Sequence, residues 1–92
     1  MNKKTAKALL SKLLRQYVKT TKHCRERMAE RNVTMDDILH VASRGRVEKL
    51  KWDEEHQNWK CEVRGTDIDG YELVLVAVIC EREQAALCVT VF

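Results

Sequence analysis

Apolar residues recur first with the period of a helix and then with the period of a strand, and the change falls near Gly45. Ala6, Leu9, Leu10, Leu13, Leu14 and Tyr17 follow i, i+3, i+4, i+7 spacing, while Lys7, Lys12, Arg15 and Lys19 fill the other side. That pattern predicts an amphipathic first helix. Thr20 or Thr21 stops it and can N-cap a second helix over about residues 22–31, with Cys24 and Met28 turned to the core. Asn32 tolerates the left-handed conformation in which helices often end. Thr34 followed by Asp37 is a near capping box, so a third helix is expected over about residues 35–43, stopping before Gly45.

Beyond Gly45 the period is two. Residues 46–52 read as a charged edge strand, followed by a turn at "DEEHQN". In "WKCEVR", Trp59, Cys61 and Val63 point one way and Lys60, Glu62 and Arg64 the other. The run "YELVLVAVIC" is almost wholly apolar, as a central strand covered on both faces would be. "LCVTVF" closes the chain in a last strand. The expected fold is α+β, with two to three N-terminal helices packed on one face of a four-stranded antiparallel sheet.

Composition narrows this to one domain over residues 1–92, with residues 1–19 as an extra helix before the core. No apolar run reaches the roughly 20 residues of a spanning helix, and no signal peptide is expected. Cys24, Cys61, Cys80 and Cys88 form no close pair, so neither a zinc ribbon nor a redox motif is predicted. Free, packed thiols in a cytoplasmic protein are expected, with no cofactor and no metal.

Charge changes the picture more. Residues 1–31 carry ten Lys or Arg against Glu26 and Glu30, a net +8, while the rest carries −5, leaving +3 in total. A positive field gathered in one third of the chain suits a polyanion such as RNA. Its plainer alternative is a solvated basic helix on a more acidic body. His23, Arg27 and Arg31, spaced by four, form one stripe rising about 6 Å per step. Imidazole moves protons near neutral pH, and guanidinium presents a planar fork to phosphate oxygens. The helix start beside Lys22 and His23 also attracts anions. This set can hold and cleave a phosphodiester without a metal, with Lys22, Lys60 and Arg64 as further phosphate contacts. His40 is expected to be packed, His56 exposed without a role, and Trp52 and Trp59 packed at the hairpin.

The run Thr21, Lys22, His23, Arg27, Arg31, Val33, Thr34, Asp37 and Ile38, followed by Gly45 and Val47, resembles the small prokaryotic domain-of-unknown-function family DUF4258. The closing "CVTVF" is similar to that family's final strand. Asn32 stands where the family pattern has glycine, and Phe92 where tyrosine is common. The resemblance extends to RelE/ParE and BrnT toxins, which pack helices on a curved antiparallel sheet. It implies the toxin of a type II toxin–antitoxin pair, a metal-independent endoribonuclease on mRNA. The implied partners are RNA and a cognate antitoxin of zinc-finger or helix-turn-helix type, with no membrane. His23, Arg27 and Arg31 are the positions at which the signature falls. Two alternatives stay open: a non-catalytic module binding nucleic acid or protein through the same stripe, and a structural domain pairing through the edge strand near Lys49 and Lys51.

Overall fold

A computed structural model describes residues 1–92. Helix α1 spans Lys3–Gln16. The Asn2 side chain caps it by accepting the Thr5 N–H at 2.8 Å, which satisfies one of the free amides of a helix start. Ala6, Leu10, Leu13 and Leu14 of the stripe are buried, but Tyr17 is 72% exposed. The stripe ends early because Tyr17 already has extended backbone, and the chain is unwinding into a strand.

That strand, β1 (Lys19–Thr20), carries too few residues to show a period. The others are β2 (Arg46–Asp53), β3 (Asn58–Thr66), β4 (Glu72–Cys80) and β5 (Ala85–Val91), in the spatial order β1-β5-β4-β3-β2. The expected four-stranded antiparallel sheet is therefore corrected to a five-stranded mixed one. β2 to β5 form the antiparallel meander, and β1 lies parallel to β5 with Lys19 opposite Leu87 and Thr20 opposite Cys88. Only the fold can bring those two ends of the chain together.

Thr21 joins that edge to helix α2 (Lys22–Arg31). Its hydroxyl accepts the Cys24 N–H at 3.0 Å and donates to the Val89 carbonyl at 2.9 Å, so one residue caps the helix and fastens it to β5. Asn32 ends α2 in the left-handed conformation, with φ 56 and ψ 39. Helix α3 (Met35–Arg44) starts on a complete capping box, Thr34 accepting from Asp37 N–H and Asp37 accepting from Thr34 N–H. Asp37 also accepts the Ile68 N–H at 3.0 Å, tying the β3–β4 turn to the helix.

Burial pushes the Asp37 carboxyl up, but bonds from Thr34 and Ile68 outweigh it and hold the group below its ordinary 3.8. Asp37→Ala is expected to cost about 1–2 kcal/mol at neutral pH, through loss of the cap and of a partner for the Ile68 amide. A depressed folded pKa stabilises above the unfolded value and is lost as pH falls through the folded one. Urea denaturation of wild type and variant should therefore converge below pH 3.8. An equal gap in acid and at neutrality would count against this linkage.

All three helices share one core of 20 buried residues with the near face of the sheet, where Val47, Val63, Leu75, Ala77, Cys88 and Val91 stand. Cys24, Cys61 and Cys88 are buried in it, and all four cysteines are free thiols. Burial pushes the Cys61 thiol up to about 11 and, with Cys24 and Cys61 close by, Cys88 up to about 12. These thiols stay protonated at neutral pH and pack as small apolar groups. No helix is long and apolar enough to cross a membrane.

The far face carries no helix. β4 is therefore covered by helices on one side, not both. Val74 and Val76 point to the open side yet are 3% and 8% exposed. Register places Val74 between Arg64 and the chain end at Phe92, and Val76 between Glu62 and Thr90, so side chains of the flanking strands shield them.

Candidate functional site

Helix α2 runs along the outer edge of β5, beyond the short reach of β1. The stripe of spacing four follows the strand residue by residue. His23 Nε2 lies 3.1 Å from the Thr90 hydroxyl. Arg27 Nε donates to the Val91 carbonyl at 3.4 Å, and Arg31 lines a hollow of about 250 Å³ together with Phe92. Cys24 and Met28, directly beside the stripe on the helix, are buried in the core, which sets the stripe along the rim of the sheet.

Cross-strand register then extends the stripe into rows. His23 meets Thr90, which stands opposite Val76, then Glu62, then Lys49. In the next row Phe92 exchanges both backbone hydrogen bonds with Val74, which stands opposite Arg64, then Arg46. Arg31 and Arg64 line the same hollow, with Val74 as its apolar floor and Glu72 at its side. Two guanidinium groups distant in sequence thus converge at the end of β5.

Arg64 is the more constrained of the two. Its Nε donates to Glu48 at 2.6 Å and its Nη1 to Glu72. The Glu48 carboxyl is held below the usual range, chiefly by the Arg64 hydrogen bond. The bulge between Val47 and Lys49 lets Glu48 reach Arg64. On β3 itself Glu62 is the single carboxylate beside the basic pair, and neighbouring strands bring in others. Glu72 from β4 and Glu48 from the bulge are closer partners, and neither could be placed without the register.

His23 is exposed and has Thr90 as its hydrogen-bond partner. A hydroxyl both donates and accepts, so Thr90 can hold Nε2 in either tautomer, and no hydrogen bond within the chain engages Nδ1. Thr90 carries no sequence signal, because its partner lies in a helix far away along the chain. Half-buried Arg27 also pairs with Glu30 at 3.1 Å, an exposed contact of small energetic weight.

The other predicted contacts divide. Lys60 is on the open face, four residues along β3 from Arg64, or about 13 Å. It lines a larger cleft of about 490 Å³ rather than the arginine hollow. Lys22 lines neither: its side chain is 85% exposed and its ammonium pairs with Glu26 at 3.9 Å. His40 is half-buried rather than packed in the core, with Nδ1 donating to the Thr66 carbonyl at 2.8 Å. His56 pairs with Asp53 at 2.8 Å in the hairpin turn, where that carboxylate raises its pKa. Trp52 and Trp59 pack edge to face at 5.2 Å. No three His, Cys, Asp or Glu side chains gather closely enough to hold a metal ion.

A family model described as a domain of unknown function (DUF4258) matches residues 20–92. The matched segment contains every residue of the arginine hollow and leaves α1 outside. No curated protein and no solved structure matches the chain.

Proposed function

The chain belongs to the DUF4258 family, and from the site that its matched segment builds we propose that it is a metal-independent endoribonuclease, the toxin of a type II toxin–antitoxin pair. The observation that carries this reading is the stripe His23, Arg27 and Arg31 laid along the last strand, with Arg64 of β3 beside Arg31, so that one proton carrier and three guanidinium groups gather at the end of β5. The resemblance to RelE/ParE and BrnT toxins agrees with a helix-backed sheet whose other face is bare. In this reading the protein works in the prokaryotic cytoplasm on mRNA and is silenced by a cognate antitoxin of zinc-finger or helix-turn-helix type.

The chemistry follows from the groups present. The 2′-hydroxyl of the RNA attacks the adjacent phosphorus, the O2′–P bond forms and the P–O5′ bond breaks. His23 accepts the 2′-hydroxyl proton or gives one to the departing O5′, through Nδ1. Arg27 and Arg31 neutralise the non-bridging oxygens as charge grows on them. Arg64, aligned by Glu48 and Glu72, adds a fixed cation to the wall of the hollow.

A non-catalytic module for nucleic acid or protein is the second reading. It is favoured by one observation: Glu48 and Glu72 are engaged by Arg64, leaving His23 the one proton carrier of the stripe. Purified protein incubated with RNA in excess chelator separates the two. Cleavage is the expected outcome; RNA that is bound and left intact favours the module.

A further inference from the structure

Register places Lys51 directly opposite Lys60 on the open face. Like charges in directly opposed positions destabilise an antiparallel pair. The other such pair on this face, Arg46 opposite Arg64, is relieved by Glu48 and Glu72 on Arg64. The lysines have no such direct partner, although Asp53, Glu54 and Glu55 of the β2–β3 turn line a hollow of about 480 Å³ with them. The nearby Glu62 pairs with Lys49 at 3.9 Å, and neither Lys51 nor Lys60 has a carboxylate within ion-pair distance. The fold thus keeps two opposed cations without a direct ion pair on the side of the sheet that no helix covers.

The cleft of about 490 Å³ that they line brings in two more ammonium groups, Lys49 and Lys3, against Glu48 and Glu62, over a floor at Val76. Lys3 comes from α1, which lies outside the family-matched segment. Beside this cleft, Lys3 also lines a hollow of about 390 Å³ with Lys4, Lys7 and Arg46. Compact ammonium charges with three rotatable donors suit phosphate oxygens without demanding the planar match that guanidinium requires.

We propose that the Lys51–Lys60 pair, with Lys49 and with Lys3 of the N-terminal helix, is a second phosphate site that holds the RNA strand away from the cleaved bond. This rests on the RNA reading above. The roughly 13 Å of β3 between Lys60 and Arg64 means that one phosphate cannot serve both places, so the occupant is a chain of phosphates crossing the open face. The N-terminal helix then has a task beyond covering the core: it lengthens the track.

The test compares wild type with the Lys51→Gln/Lys60→Gln double variant and with Lys3→Gln. Each is titrated with a single-stranded RNA oligonucleotide over a salt series, with tripolyphosphate as a competitor, and each is melted without RNA. The double variant should melt above wild type, because repulsion is removed, yet bind RNA about tenfold more weakly near 0.1 M salt. Its log–log salt slope should flatten by roughly 0.7 for each phosphate that is no longer neutralised, and Lys3→Gln should flatten it less. If wild type binds RNA and the double variant binds with unchanged affinity and slope, the second site is overturned while the RNA reading stands. If wild type ignores RNA but binds tripolyphosphate through these lysines, the anion site stands and the RNA reading falls. Binding of neither overturns both.

Discussion

Replacing His23 with alanine is expected, on the proposed mechanism, to lower RNA cleavage by roughly 100-fold or more, the scale on which a positioned acid or base contributes. RNA affinity changes little, because a neutral imidazole adds little to phosphate binding. The two effects separate because His23 is exposed and bonded to Thr90 alone, so its removal takes away a proton carrier without disturbing the core. Arg31→Ala behaves differently. Its guanidinium lines the hollow in the free protein and on the proposed mechanism would act on the ground state and the transition state alike, so affinity and rate are expected to fall together. Arg27→Lys restores only part of the Arg27→Ala loss, since a point charge has no bidentate fork. Single-turnover cleavage beside equilibrium binding reads both quantities. Wild-type cleavage by His23→Ala would remove the histidine from the mechanism and leave the stripe as a phosphate grip.

Gly45→Ala is expected to be the most damaging small substitution in the chain. The φ of Gly45 is an ordinary −75, so the reason is space. A Cβ there would stand 2.6 Å from the Val41 carbonyl oxygen, 2.8 Å from that of Arg64 and 3.0 Å from a Val63 methyl. Two of these are backbone atoms that cannot swing aside. The end of α3 crosses β3 at this point, and the Cα of Gly45 in turn lies 3.0 Å from where a Cβ on Gly65 would be. Relief requires the helix and the strand to part, at the upper end of overpacking costs or about 3 kcal/mol. For a domain of this size that lowers Tm by roughly 12–24 °C. Gly70→Ala is the control: its φ of +91 strains any side chain, but nothing lies within 4 Å, so a cost of only about 1–2 kcal/mol is expected. Thermal unfolding of both variants decides it, and a Gly45→Ala Tm no lower than that of Gly70→Ala would contradict the crowding. Because the Arg64 carbonyl is among the crowded atoms, Gly45→Ala should also displace the wall of the arginine hollow.

Three helices and four strands can be read from the chain because their signals are local. Thr21, Thr34 with Asp37, and Asn32 act within three or four residues, and the alternation in β3 sorts its faces without knowledge of any neighbour. β1 is invisible by the same logic: two residues hold no period, and the pairing that makes them a strand lies at the other end of the chain. β4 misleads because Val74 and Val76 are buried by neighbouring strands' side chains, so an apolar run does not show which layer covers it.

The candidate site divides along the same line. The spacing of His23, Arg27 and Arg31 is a property of one helix and is legible at once. Convergence of Arg31 with Arg64, the hydrogen bond from Thr90 to His23, and the carboxylates on Arg64 all depend on register between distant segments. The like-charge pair Lys51 and Lys60 is another case, since neither lysine is unusual until β2 and β3 are aligned.

The most direct test of the central claim is the chemistry of the cut ends. A defined RNA treated with the purified protein in excess chelator should yield a 2′,3′-cyclic phosphate on one fragment and a 5′-hydroxyl on the other, and a single 2′-deoxy sugar at the cleaved position should leave that bond intact. RNA that survives with wild-type protein, a 5′-phosphate at the new end, or cleavage that continues past the 2′-deoxy sugar would contradict it.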